Sequence, residues 1–286
     1  VIGWVVDAFE PAFMQRALLG GLIAVGATSL VGTWVVLRGL AFLGDALAHG
    51  VIPGIALAVL WGFSPILGAL AAALVMGGLV TVVSSRTTVR EETGIGLLFV
   101  GMLSLGVIIV SRSGSFSTDV TSLLFGDVLG VTTGDIRGQA VAAVLILVTT
   151  VVLYRPFLAL TFNRRKARTL GLRPALAQAA MLALLAVSIV ASFQAIGTLL
   201  VFGLLIGPPA TASLFVSRVP AIMVGAMGLG AISVVGGLVI SFHHGTAGGP
   251  TIAGLAVALF FVGLVIRELT EAVRSRRSAA PFMSPG

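Results

Sequence analysis

The sequence predicts an all-α, polytopic transmembrane helical bundle of about eight or nine spans, forming a single domain over residues 1–286. Three observations carry this. The 286 residues are 58% hydrophobic and only 9% charged, with a mean hydropathy of +1.15, whereas soluble domains carry roughly a quarter charged residues. Stretches free of Asp, Glu, Lys and Arg cover 17–37, 50–85, 93–111, 138–154, 174–217 and 219–266. Each suffices for one spanning helix of roughly 20 residues or for two joined by a turn. The alternation at every second residue that a membrane β-barrel needs is absent.

Broken at their turn signals, these stretches give spans at 12–37, 41–60, 66–85, 94–112, 137–154, 174–193, 197–216, 219–242 and 251–270. WGFSP (61–65) divides one long run and FQAIG (193–197) another, and the polar HHGTAGGP (243–250) separates the last two spans. Residues 12–37 and 113–136 leave eight spans as the alternative to nine. FSTDVTSLLFGDVLGV (116–131) is too interrupted to cross and reads as a short interfacial or re-entrant helix, which lipid tolerates only where protein or a cavity surrounds it.

Arginine placement orients the chain. Arg38, Arg86, Arg90, the cluster from Arg155 to Arg173, Arg218 and the C-terminal arginines gather on one face. The other face holds Arg16, Arg112 and Arg137 with Asp7, Glu10, Asp119, Asp127 and Asp135. The richer face is expected to be cytoplasmic, with the tail 271–286 inside and an inner-membrane location. The net charge of +7 therefore orients the chain rather than marking a nucleic-acid partner. No cysteine is present, which excludes disulfides and thiolate metal sites. Residues 1–11 lack a basic start and contain Asp7 and Glu10, so they do not read as a cleavable signal peptide. No nucleophile–base–acid set stands at recognisable spacing, and the chain is not expected to be an enzyme.

Within this apolar background, GLAFLGDALAHGVIPG (39–54) carries Asp45 and His49. At i and i+4 they share one helical face, and both can reach one cation. An Asp at a helix centre costs roughly 2.5–3.5 kcal/mol on insertion scales, so it should face a partner, a cavity or a pathway. Pro53 has no N–H for the His49 carbonyl, which opens the helix at the histidine. A carboxylate with a neutral imidazole suits Mn²⁺, Fe²⁺ or Zn²⁺. A self-satisfied Asp–His pair, or Asp45 paired with Arg38, is the structural alternative. The span limits put Asp45 about a turn inside the cytoplasmic edge, and a helix starting nearer Gly32 would carry it deeper. Gly50-x-x-x-Gly54 and Gly203-x-x-x-Gly207 are spacings that permit close helix packing.

FLGDALAHGVIPGIALA (42–58) resembles the signature of the integral-membrane permeases of bacterial ABC importers for manganese, zinc or iron. Softer matches follow in the right order: FMQRALLGG (13–21), VREETGIGLLF (89–99), SLLFGDVLGV (122–131), GTLLVFGLLIGPPATA (197–212) and GGPTIAGLAVALF (248–260). The resemblance implies that Asp45 and His49 bind or gate the translocated cation. It implies ATP-driven import of a divalent metal by alternating access, with no permanently bound cofactor. The partners it implies are a second, identical permease chain, an ATP-binding cassette subunit that hydrolyses ATP, and an extracytoplasmic metal-binding protein.

The chain cannot supply the ATPase itself. A phosphate-binding loop needs G-x-x-x-x-G-K-[ST], and the one lysine, Lys166, lies in RRKAR without the glycines. The cytoplasmic loop 155–173 reads as a short basic helix ended by Gly171, and the resemblance makes it the coupling segment, through Asn163, Arg164, Arg165, Lys166, Arg168 and Gly171. The family shows an acidic start there, where this chain has Asn163, Arg164 and Arg165. His243 and His244, expected in the outer turn before Gly245, and Asp119 are weaker candidate ligands. Asp119, Asp127 and Asp135 make the outer mouth acidic, which draws cations in. The alternatives are a permease for cobalamin or siderophore complexes, which needs a wide cavity, and an ion-coupled secondary carrier, which would show inverted repeats or further intramembrane carboxylates.

Overall fold

Apolar runs bounded by glycine, proline and arginine fold into helices because lipid offers backbone N–H and C=O groups no other partner. The computed structural model describes residues 2–86, 91–112, 130–162, 173–196 and 198–278. Over these the helices are α1 Ile2–Ala8, α2 Ala12–Leu37, α3 Ala41–Gly50, α4 Ile52–Trp61, α5 Pro65–Arg86, α6 Glu91–Arg112, α7 Thr133–Val152, α8 Tyr154–Phe162, α9 Pro174–Ile196, α10 Thr198–Phe215, α11 Val219–His244 and α12 Gly248–Ser278. No strand occurs among the described residues.

Eight of the described segments are long and apolar enough to cross a membrane, with α3 and α4 together forming one of them. The ambiguity at residues 12–37 resolves as a single helix of 26 residues. The ninth expected span is α10, whose 18 residues rise about 27 Å, just under a hydrocarbon core of about 30 Å.

α2 is the central helix. It packs against α7, α9, α10 and α11, and 72% of its apolar window is buried. A second group forms where α4 lies on α5 and α6 and α3 lies on α6, tied to the centre by α9 between α2 and α5. α10, α11 and α12 pack on one another.

Close approach comes from missing side chains. A Cβ on Gly54 would strike the Gly68 carbonyl oxygen of α5, and one on Gly68 would strike that of Gly54. Gly203 and Gly207 lie against the methyls of Ala253 and Ala256 on α12, where added Cβ atoms would stand 3.1 and 3.4 Å away. Both small-residue spacings are thus used inside this chain.

Three expectations shift. α7 starts at Thr133 rather than 137, because Thr132 and Asp135 form a capping box. The Thr132 N–H donates to Asp135 Oδ2 at 3.0 Å, and the Asp135 N–H donates to Thr132 Oγ1 at 3.2 Å. This puts Arg137 on the helix and gives Asp135 a structural task. Thr132→Ala is expected to remove about 1 kcal/mol, read as a lowered thermal midpoint in detergent.

The expected loop 155–173 is, in its first part, helix α8, which packs on α9, α7 and α2. Phe157 is fully buried, and Trp34 stands edge-on to Tyr154 and Phe157, each at 5.7 Å. The run FLALTF therefore anchors the bundle. Finally, α12 continues to Ser278 instead of ending near 270, so the first part of the expected tail 271–286 is helical. An Arg267 Nε–Glu271 Oε1 ion pair of 2.8 Å spans i and i+4, an arrangement that favours helix.

Candidate metal-handling site

Gly39, at φ 67°, ends α2 in the left-handed region that glycine enters without penalty. The chain turns at once into α3 at Ala41, so the span does not begin near Gly32, and Asp45 lies about one turn inside its start. Regular helix is interrupted at Val51, between α3 and α4. Pro53 cannot donate to the His49 carbonyl, and the Val51 N–H turns towards that carbonyl instead.

Glycines seat this interrupted span on three neighbours. Gly44 lies under Leu205 of α10, and Gly50 under Met76 of α5. Gly106 of α6 lies so close to Ile52 and Pro53 that an added Cβ would stand 2.9 Å from Ile52 Cγ2 and 3.2 Å from the Pro53 nitrogen. α6 thereby covers the weakened turn.

One stripe of α3 carries Phe42, Asp45 and His49, spaced i, i+3, i+7. His49 Nε2 stands 3.5 Å from Asp45 Oδ1, with side chains 26% and 34% exposed respectively. Two ligands about 2.1 Å from one tetrahedral cation subtend about 3.4 Å, so the pair can share an ion with almost no movement. The Phe99 ring of α6 lies 6.0 Å from the imidazole and 6.1 Å from Phe42. Among the described residues no third His, Cys, Asp or Glu joins the pair. Any remaining ligands would be water, backbone oxygen or groups from elsewhere.

His243 and His244 are not in a turn. They form the last turn of α11, which Gly245 ends at φ 63°. His243 Nδ1 lies 3.0 Å from the Val239 carbonyl and His244 Nδ1 3.1 Å from that of Ile240. Both imidazoles are thus engaged with their own helix and do not join Asp45 and His49. Asp119, Asp127 and the coupling residues Asn163, Arg164, Arg165, Lys166, Arg168 and Gly171 lie outside the described residues, as does all but the end of 116–131. Sequence reasoning does not single out Phe99: it closes the motif at 89–99 as one more apolar residue, and its ring contacts arise only from packing.

The comparisons with known proteins agree in kind. The family model described as "ABC 3 transport family" matches residues 10–267. The manganese import system permease protein ScaB of Streptococcus parasanguinis is 34% identical over 251 residues, covering 87% of this chain and 89% of the relative. The chelated iron transport system membrane protein YfeD of Yersinia pestis is 30% identical over 275 residues, covering 96% and 91%. The structure of PsaBC from Streptococcus pneumoniae in complex with Fab superposes with a TM-score of 0.81 at 27% identity, covering 92% of this chain and 95% of that one. A multi-pass helical chain of this architecture, matched along most of its length, belongs to the ABC 3 transport family.

Proposed function

We propose that this chain is the permease subunit of an ATP-driven importer of a divalent transition-metal ion, Mn²⁺, Fe²⁺ or Zn²⁺, in a bacterial inner membrane with its C-terminus inside. The observation that carries the reading is the Asp45–His49 pair, 3.5 Å apart on one face of a spanning segment. Their partial exposure matters as much as their spacing. A carboxylate facing hydrocarbon is costly, so this stripe of α3 requires a polar cover: an aqueous pathway, and a second permease chain across it. The relatives named for manganese and iron transport support a metal cargo.

ATP is hydrolysed on a separate cassette subunit, and an extracytoplasmic binding protein delivers the ion. The permease alternates between outward-open and inward-open states around the pair. Asn163, Arg164, Arg165, Lys166, Arg168 and Gly171 carry the coupling contact. The pair offers two ligands to one ion, and water can complete its coordination.

The test is transport into proteoliposomes holding this chain with its cassette subunit, offered Mn²⁺, Fe²⁺ and Zn²⁺ separately. ATP-dependent accumulation of one ion is expected, and the preferred ion names the cargo. Accumulation driven by a proton or sodium gradient without ATP would overturn the reading in favour of a secondary carrier.

A further inference from the structure

Metal-ligating histidines are almost always oriented by a hydrogen bond from the ring nitrogen that does not hold the metal. At His49 the described neighbours offer aromatic packing. Its Nε2 faces Asp45, and among the described residues nothing hydrogen-bonds Nδ1. Rotation of an imidazole about χ2 meets broad torsional wells, so packing against the ring helps set its orientation.

What stands beside it is an aromatic ring. Phe99 approaches His49 at 6.0 Å with an interplanar angle of 60°, and Phe42 at 6.1 Å and 70°. Both are edge-to-face arrangements, the geometry aromatic pairs prefer. Phe42 lies about a turn before Asp45 on the stripe and His49 about a turn after it, so Phe99 bridges the stripe at the level of the carboxylate. Phe42 also lies beside Gly96 of α6, where an added Cβ would stand 3.8 Å from its ring. α6 thus reaches this stripe at Gly96 and Phe99 and reaches the break at Gly106.

We propose that Phe99 is a positioning residue for metal transport. It orients the His49 imidazole towards Asp45 by edge-to-face packing, with Phe42 packed against the other side of the contact. The inference rests on the reading of Asp45 and His49 as the metal station. Because Phe99 belongs to α6 and His49 to α3, any shift between these helices turns the imidazole away. Ligand geometry is thereby coupled to helix movement.

The experiment uses the whole complex in proteoliposomes, with Mn²⁺ as the probe. Half-maximal concentration and maximal rate are measured for wild type, Phe99→Leu, Phe99→Tyr and Asp45→Asn, with assembly and ATPase activity measured in parallel. Edge-to-face pairs are worth roughly a two- to tenfold factor in an equilibrium beyond the area they bury. Phe99→Leu is expected to raise the half-maximal concentration about three- to tenfold with little change in maximal rate, and Phe99→Tyr to restore it. Should Phe99→Leu fail to assemble, Phe99→Met carries the same comparison.

An unchanged half-maximal concentration in Phe99→Leu, alongside lost uptake in Asp45→Asn, would overturn the role of Phe99 and leave the station standing. Equal losses in Leu and Tyr variants would make Phe99 a packing residue only, which also overturns it. Normal uptake in Asp45→Asn would remove the station, and the role of Phe99 with it.

Discussion

Asp45→Asn is expected to cut ATP-driven Mn²⁺ uptake by at least about 100-fold while assembly and membrane insertion stay intact. The amide keeps the size of the side chain and removes its charge. Two unit charges about 4 Å apart interact by roughly 4 kcal/mol at an effective dielectric constant of about 20, and a divalent ion in direct contact gains more. That is two to three orders of magnitude in occupancy of the station. The folded chain loses little, because the carboxylate is about one-third exposed and, among the described residues, its ion-pair contact is the 3.5 Å approach to His49. His49→Ala is expected to act in the same direction with a smaller factor, since a neutral imidazole contributes a ligand atom and no charge. Uptake of radioactive Mn²⁺, with size-exclusion profiles of the purified complex, separates a transport defect from a folding defect. Wild-type uptake in Asp45→Asn would make the pair structural.

Gly54→Val is expected to have the largest effect on the fold. A Cβ at this position would run into the Gly68 carbonyl and stand 2.7 Å from the Ala72 methyl. Backbone carbonyls cannot step aside as a flexible side chain does, so α4 and α5 would have to part. Overpacking a close contact typically costs 1–3 kcal/mol, and two facing glycines put this site at about 3 kcal/mol or above. The displacement would also reach His49, because α4 begins just past the break at Val51. A lowered thermal midpoint and reduced yield of assembled complex are expected together. Gly101→Ala is the control: a Cβ there meets nothing within 4 Å, and alanine is the better helix former by about 1 kcal/mol. It should leave stability unchanged or raised.

Much of the architecture was legible in the sequence. Hydropathy is a property of short windows, and in lipid it translates almost directly into spanning helices, because unpaired backbone is excluded. The ends were less legible, since they depend on particular local bonds. The Thr132–Asp135 capping box starts α7 earlier than its apolar run begins. His243 and His244 look like turn residues beside HGTAGG, yet their ring nitrogens lie near carbonyls one turn back and they close α11. The run FLALTF at the start of the expected coupling loop is short enough to pass for a linker. Only the large ring of Trp34 shows why it folds onto the bundle.

The sequence by itself determined that lipid is the solvent of this chain, that its elements are helices, and that Asp45 and His49 share a helical face interrupted near Pro53. All of these follow from neighbours within a few residues. Only the tertiary structure decided which helices meet around that interrupted span: Phe99 beside His49, Gly106 against Pro53, and Gly68 against Gly54. Lipid tails are as apolar as the helices they surround, so hydrophobicity does not select one helix neighbour over another in the membrane. Steric fit between small and large side chains makes that selection.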